Sequence, residues 1–162
     1  MHLIILGADG YGRTVADGAA QTGAYDEILF LDDNSRSENV IGKCADFYAF
    51  ANENTIFYPA FGNNGIRVLW MNRLNENGCG IATIVHPTAY ISPTACLADG
   101  NVVLPHAVVN TGCEIKSGCI INCVIEEGVH VCLGAIVKAE NRIPCLMKVE
   151  AGQVIKNRTY PL

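Results

Sequence analysis

Aliphatic residues fall at every sixth position through the second half of the chain: Val85, Ile91, Leu97, Val103, Val109, Ile115 and Ile121. The same beat resumes at Ile125, Val131, Val137, Ile143, Val149 and Ile155. Between the two runs, from Ile121 to Ile125, the step is four residues instead of six. Glycines keep both phases, since Gly100, Gly112, Gly118, Gly128, Gly134 and Gly152 each lie three residues after a beat residue. A six-residue period is the signature of a parallel β-helix, in which each hexad is one short strand plus a turn. Three hexads close one triangular coil of about 18 residues, so about four coils fit between Val85 and Ile155. Each coil buries a ring of aliphatic side chains. Its flat outer faces suit packing against other subunits, so an oligomer is expected.

The first half has a different rhythm. His2-Leu3-Ile4-Ile5-Leu6 reads as a buried strand, and Gly7-Ala8-Asp9-Gly10-Tyr11-Gly12 as a glycine-rich turn. Arg13 to Gln21 carries Val15, Ala16, Ala19 and Ala20 at helical spacing. Glu27 to Leu31 is a second apolar strand ending in Asp32-Asp33-Asn34. Strand, glycine turn, helix and strand make a βαβ unit with parallel strands. Val40-Ile41-Gly42 reads as a short edge element and Asp46 to Ala51 as a weak helix. A strand at Thr55 to Phe61, a helix at Ile66 to Asn75 and a strand at Ile81 to Val85 follow. The predicted organisation is an α/β domain over residues 1–82 and a β-helix over 83–158, with a loosely held polar tail from Lys156 to Leu162.

A net charge of −5 lacks the basic balance of a nucleic-acid binder. An anionic small molecule stays compatible with it, because a local pocket can be positive on an acidic protein. Half the residues are hydrophobic, yet no apolar run reaches the ~18 residues of a membrane span. The eight cysteines form no CxxC pair and match no zinc or haem spacing, so no metal is expected. Cys113 and Cys119 lie four residues after a beat residue, where a β-helix takes small side chains. The cysteines are therefore expected as small buried hydrophobes in a reducing compartment. With no basic, apolar leader at the N-terminus, the protein is expected in the cytoplasm.

The glycine turn between strand and helix has the form of a phosphate cradle, since glycines let backbone N–H groups and a helix N-terminus approach an anion. Asp32, twenty residues after Gly12 and at the end of the next strand, is placed for a ribose hydroxyl. This reads as a nucleotide or nucleotide-sugar site. The alternative is a glycine turn kept only for tight strand–helix packing. A nicotinamide dinucleotide is disfavoured, because about 80 residues are too few for two mononucleotide halves. Gly62-Asn63-Asn64, at another strand end, offers further donors to the crevice or simple turn chemistry.

Taken in order, Gly7-Ala8-Asp9-Gly10-Tyr11-Gly12-Arg13, Phe30-Leu31-Asp32-Asp33, Phe61-Gly62-Asn63-Asn64 with Arg67, and Val85-His86-Pro87-Thr88 followed by Ile91-Ser92-Pro93 resemble one family. It is the bacterial sugar O-acyltransferases of the sialic acid O-acetyltransferase type, hexapeptide-repeat transferases that include UDP-N-acetylbacillosamine N-acetyltransferases. The resemblance spans nearly the whole chain. It implies a Rossmann-like N-terminal domain holding a UDP-sugar, a left-handed parallel β-helix, a homotrimer, and acetyl-CoA lying between neighbouring β-helices. By motif, Asp9, Gly10 and Tyr11 would line the sugar-nucleotide phosphates, and Asp32 and Asp33 the uridine end, with Gly62 nearby. The family often has His where this chain has Tyr11, and an acidic residue where it has Gly65.

Acyl transfer needs a base, because an amine or hydroxyl loses a proton as it attacks the thioester. The family uses a histidine for this, supported by an acid and preceded by an asparagine one coil earlier. A second histidine lies near the acetyl-CoA carbonyl. Here Asn122 matches the asparagine, and His130-Val131-Cys132-Leu133-Gly134-Ala135 matches the second histidine and its context. The first histidine has no counterpart. A step of four keeps phase if either two or eight residues are absent after Asn122, and the family pattern favours eight, which would carry that histidine. Either the protein lacks the segment, or the intact molecule carries it as an exposed loop near the cleft. His130 is then the catalytic candidate, with Asn122, and with Glu126 to orient the imidazole. The alternative for His130 is a structural histidine on a β-helix face. Gly134, Ala139 and Ala151 with His130 would take the coenzyme. His86 is expected to be structural and His106 exposed in a turn.

The reading is an acetyl-CoA-dependent acyltransferase acting on a nucleotide-linked amino sugar, for surface glycan or glycoprotein biosynthesis. The alternative is a trimeric sugar-nucleotide-binding protein without transferase activity.

Overall fold

The computed structural model describes residues 1–35, 37, 39–138 and 141–156. The chain forms two compact units, Met1–Ile84 and Val85–Leu162.

The first unit runs β1 (His2–Leu6), α1 (Gly10–Thr22), β2 (Glu27–Leu31), β3 (Val40–Gly42), a 3₁₀ turn (Cys44–Ala49), β4 (Thr55–Pro59), α2 (Asn64–Glu76) and β5 (Gly80–Ile81). These strands form a parallel sheet in the order β3-β2-β1-β4-β5. The central strand β1 buries Leu3, Ile4, Ile5 and Leu6, which is why it reads as an unbroken apolar run. From β1 the chain winds outward through β2 to β3, then returns to lay β4 on the other side of β1. That reversal opens a crevice at the carboxyl ends of β1 and β4. Below it, Phe47 meets Phe57 and Trp70 edge-on at ring separations of 6.3 and 6.2 Å, in a core with Ile4, Leu6, Leu31 and Leu74.

Three local expectations are corrected. Helix α1 starts at Gly10 rather than Arg13, because Asp9 caps it from inside the glycine turn. The segment 46–51 is a 3₁₀ turn over Cys44–Ala49, not an α-helix. The single strand expected from Ile81 to Val85 is split: Gly80–Ile81 edges the first sheet, whereas Ile84–Val85 pairs into the β-helix.

The β-helix begins with β6 (Ile84–Val85), followed by β7 (Tyr90–Ile91), β8 (Cys96–Leu97) and β9 (Val102–Val103). The next coil is β10 (Val108–Val109), β11 (Glu114–Ile115) and β12 (Ile120–Ile121). Then come β13 (Val124–Ile125), β14 (His130–Val131) and β15 (Ile136–Val137), and last β16 (Arg142–Ile143), β17 (Lys148–Val149) and β18 (Val154–Ile155). They stack as three parallel sheets, β16-β13-β10-β7, β17-β14-β11-β8 and β18-β15-β12-β9-β6, the architecture of a left-handed parallel β-helix. Every beat residue points inward. Val103, Val109, Ile115, Ile121, Ile125, Val131, Val137, Ile143 and Val149 form one buried column, each side chain stabilising the stack by about 1.5–3 kcal/mol.

The glycine positions of the repeat are left-handed corners, and His106 (φ 59°) and Leu146 (φ 60°) occupy the same corner without being glycine. His106 is exposed there, as expected. Cys113 and Cys119 fill inward corners and donate to the carbonyls of Glu126 and Cys132. Cys96 and Cys145, by contrast, are exposed, so burial does not extend to all eight thiols. The tail from 157 onward lies outside the described residues.

The irregular step is absorbed by one short corner. Ile91 pairs with Val109 and Ile125 with Ile143, eighteen residues apart, but Val109 pairs with Ile125, only sixteen apart. Between β12 and β13 there are two residues, Asn122 and Cys123, where other corners have four. The Asn122 N–H donates to Val137 O at 2.9 Å, the Val108 N–H donates to Cys123 O at 3.0 Å, and Cys123 is buried. A β-helix thus changes phase here without an extra loop. Burial pushes the Cys123 thiol up to about 12, keeping it neutral. Peptide mapping of the purified protein should recover Asn122 directly joined to Cys123. A peptide carrying some eight further residues at that junction would contradict this closure.

Candidate functional site

The glycine turn is held from both sides. Asp9 Oδ1 accepts from the Tyr11 and Gly12 N–H groups at 3.1 and 3.2 Å, so its own carboxylate sits on the first-turn amides. A phosphate using those two amides would have to displace it. Gly12 is demanded by packing: a Cβ there would lie 1.9 Å from Gly7 O. Gly10 and Gly62 meet no such limit, since a Cβ on either would find open space. The turn therefore serves strand–helix packing at Gly12 and leaves space beside Gly10, as the loop after β4 does beside Gly62.

Asp32 ties the glycine turn to the next strand end. Its Oδ2 accepts from Ala8 N–H at 2.7 Å, and its Oδ1 from Asn34 and Ser35 N–H at 2.8 and 2.7 Å. Burial alone would raise this carboxyl, but the three backbone donors, from Ala8, Ser35 and Asn34, outweigh it and hold it below the ordinary carboxylate range. Asp33 Oδ1 accepts from Cys44 N–H at 3.2 Å. Both aspartates line a cavity of about 780 Å³ with Asn34, Ser35, Lys43 and Asp46. The structure thus brings Asp32 and Asp33 to one cavity, while Asp9, Gly10, Tyr11 and Gly62 do not line it.

At the β1/β4 crevice the Tyr11 hydroxyl lies 2.9 Å from that of Tyr58. Burial, reinforced by Tyr58, pushes the Tyr11 phenol well up, so it stays protonated and available as a donor. Arg67 is fully buried and donates to Phe61 O (2.9 Å) and Asn64 Oδ1 (3.1 Å). Asn63 caps α2 by accepting from Ile66 N–H at 3.0 Å. The asparagine side chains thus perform turn and anchoring work. Tyr58 and Arg67 were not singled out as site residues from the sequence. The signal available was an arginine one helical turn after Asn63, facing inward on α2.

On the β-helix, His130 is exposed on the sheet β17-β14-β11-β8, and its Nδ1 lies 3.3 Å from Glu114 Oε2. Glu126 is not its partner; it accepts from Arg142 Nε on another sheet. The reason is the corner after β13, which turns Glu126 away before the chain reaches β14. Lys116 Nζ reaches the same Glu114 Oε2 at 3.2 Å, and Lys148 Nζ bonds Glu150 at 3.1 Å. Asn122 is half-buried in the short corner, Gly134 is buried in a turn and Ala151 is exposed. Ala139 lies outside the described residues. His86 is buried and bonded to Thr88, a structural role as expected.

Residues 2–74 match the PglD N-terminal domain family. The whole chain is similar to the acetyltransferase domain of PglB from Neisseria gonorrhoeae FA1090, with 31% identity, a TM-score of 0.73, and 97% of this chain and 83% of that one covered. The chain belongs to the PglD-type family of bacterial sugar acetyltransferases. The same Neisseria domain in complex with acetyl coenzyme A matches at 31% identity and TM-score 0.73 over 97% of this chain and 82% of that chain. PerB from Caulobacter crescentus, in complex with CoA and GDP-perosamine, shares the fold at 16% identity and TM-score 0.73, covering 93% of this chain and 92% of its own. No helix among the described residues of this PglD-type protein is long and apolar enough to cross a membrane.

The Asp32 anchor gives a pH-dependent prediction for the PglD-type domain. A carboxyl whose folded pKa is depressed stabilises the fold above its unfolded pKa, near ~4, and loses that contribution as pH falls through the folded value. Asp32→Asn should lower the melting temperature at pH 7, and its deficit against the parent should shrink on acidification below about pH 4. A pH-independent deficit in parallel melting curves would contradict the anchor.

Proposed function

We propose that the protein transfers an acetyl group from acetyl-CoA to an amino or hydroxyl group of a nucleotide-linked sugar, for surface glycan or glycoprotein biosynthesis. The observation that carries this is the 31% identity with an acetyltransferase domain, one that also has a structure in complex with acetyl coenzyme A, across 97% of the chain. Residues 1–82 hold the sugar nucleotide and 83–158 the acyl donor. Asp32 and Asp33 take the nucleoside end, and Gly10, Tyr11 and Gly62 face the sugar-phosphate crevice over buried Arg67, while Asp9 holds that turn in shape. The protein works in the cytoplasm as a homotrimer, with acetyl-CoA between neighbouring β-helices against Gly134, Ala139 and Ala151.

In the transfer, the acceptor's lone pair attacks the thioester carbonyl and the acceptor proton passes to His130. The tetrahedral intermediate then collapses with departure of the CoA thiolate, which takes up a proton. A neutral imidazole suits this task near neutral pH. Asn122, in the short corner between β12 and β13, supports the reacting groups.

Incubation of the protein with acetyl-CoA and UDP- or GDP-linked amino sugars tests this reading. Free thiol should appear only when a nucleotide sugar is present, and mass spectrometry should show the acetylated sugar. Tight nucleotide-sugar binding by calorimetry without thiol release would instead make it a binding protein. Tight NAD binding without nucleotide-sugar binding would make it a nicotinamide module.

A further inference from the structure

We propose that Glu114 is the positioning residue for His130: it holds the imidazole as the Nδ1–H tautomer, leaving Nε2 as the proton acceptor. The proposal rests on the acetyltransferase reading above.

The argument is one of register. In a parallel stack each outward side chain stands over the equivalent residue of the coil below. Glu114 stands one residue before the inward Ile115, and His130 one residue before the inward Val131, so the two are equivalent positions of successive coils. The two-residue corner at Asn122-Cys123 keeps that equivalence, and Glu114 pairs with His130 although only sixteen residues separate them. The contact is on the ring nitrogen nearer the backbone, Nδ1, at 3.3 Å. A carboxylate accepts, so Nδ1 carries the proton and Nε2 keeps its lone pair.

The surroundings agree with this role. Lys116, first by its hydrogen bond and then by its charge, and His130 with it, hold the Glu114 carboxyl below its ordinary range, so it is ionised at neutral pH. Lys148 is the register partner of His130 on the coil above, but its ammonium is directed to Glu150. Cys96 pairs with Glu114 from the coil below, and Cys132 follows two residues after His130 on the same strand end. None of the last three supplies a carboxylate to the ring. Both members of the pair are about half exposed, 52% and 44% by side chain. Such exposed pairs contribute little to stability; orientation of the ring is what the contact offers.

Two readouts test the proposal on the full-length protein. Ring ¹⁵N chemical shifts should show neutral His130 with Nδ1 protonated, and Glu114→Gln should shift the population toward the Nε2–H form. In steady-state assays Glu114→Gln should lower kcat about ten- to a hundredfold, as loss of an orienting partner does elsewhere, with KM for acetyl-CoA nearly unchanged. In a His130→Ala background the same substitution should cost nothing further, and Glu114→Asp should recover part of the rate. A predominant Nε2–H tautomer in the parent, or additive losses in the double variant, would overturn the proposal. The tautomer readout needs no turnover, so it decides the role of Glu114 even if acetyl transfer itself is not found.

Discussion

Coil-to-coil register is the constraint on which the second unit depends. Thirteen two-residue strands are too short to be stable alone. They persist because each pairs with equivalents above and below, while its aliphatic residue enters a common interior column. Register of this kind pairs equivalent hexad positions, inward and outward alike, across corners of either length. Removing two residues at Asn122-Cys123 leaves the inner column continuous, because Val109 still meets Ile125. On the outer surface the same register holds, and Glu114 stands under His130.

The first unit depends on a different device, the reversal of strand order between β1 and β4. Two loops meet at that reversal, and both are rigid for reasons visible in their hydrogen bonds. Asp9 caps α1, Asn63 caps α2, and Asp32 binds the glycine turn to the β2 end. Arg67 and Tyr58 are fully buried, and the Tyr58 hydroxyl is bonded to that of Tyr11.

Much of this was legible in the letters. The hexad beat determines the β-helix because only inward positions must be aliphatic, and the glycine phase marks left-handed corners. Leu3 to Leu6 announces a central parallel strand by its continuity. Tertiary pairing was less legible. Glu126 precedes His130 by four residues and looks like its partner, yet a corner separates them. Glu114, sixteen residues away, is the neighbour, which emerges only when the short step is carried into the inter-coil register. Similarly, Asp9 reads as a ligand-facing acid but turns back to cap its own helix, a choice set by backbone geometry rather than residue type. The split of Ile81–Val85 between two sheets follows from packing, since its apolar pattern is continuous.

The account turns on the pairing across the short corner, and backbone proton contacts measure it directly. In an isotopically labelled sample, inter-strand nuclear Overhauser effects should link Glu114 with His130 and Val108 with Val124, alongside Val124 with Arg142 from a coil of ordinary length. Contacts linking Gly112 with His130 instead would mean that the coil closes at eighteen residues, and would contradict both the fold around Asn122 and the carboxylate–imidazole pair built on it.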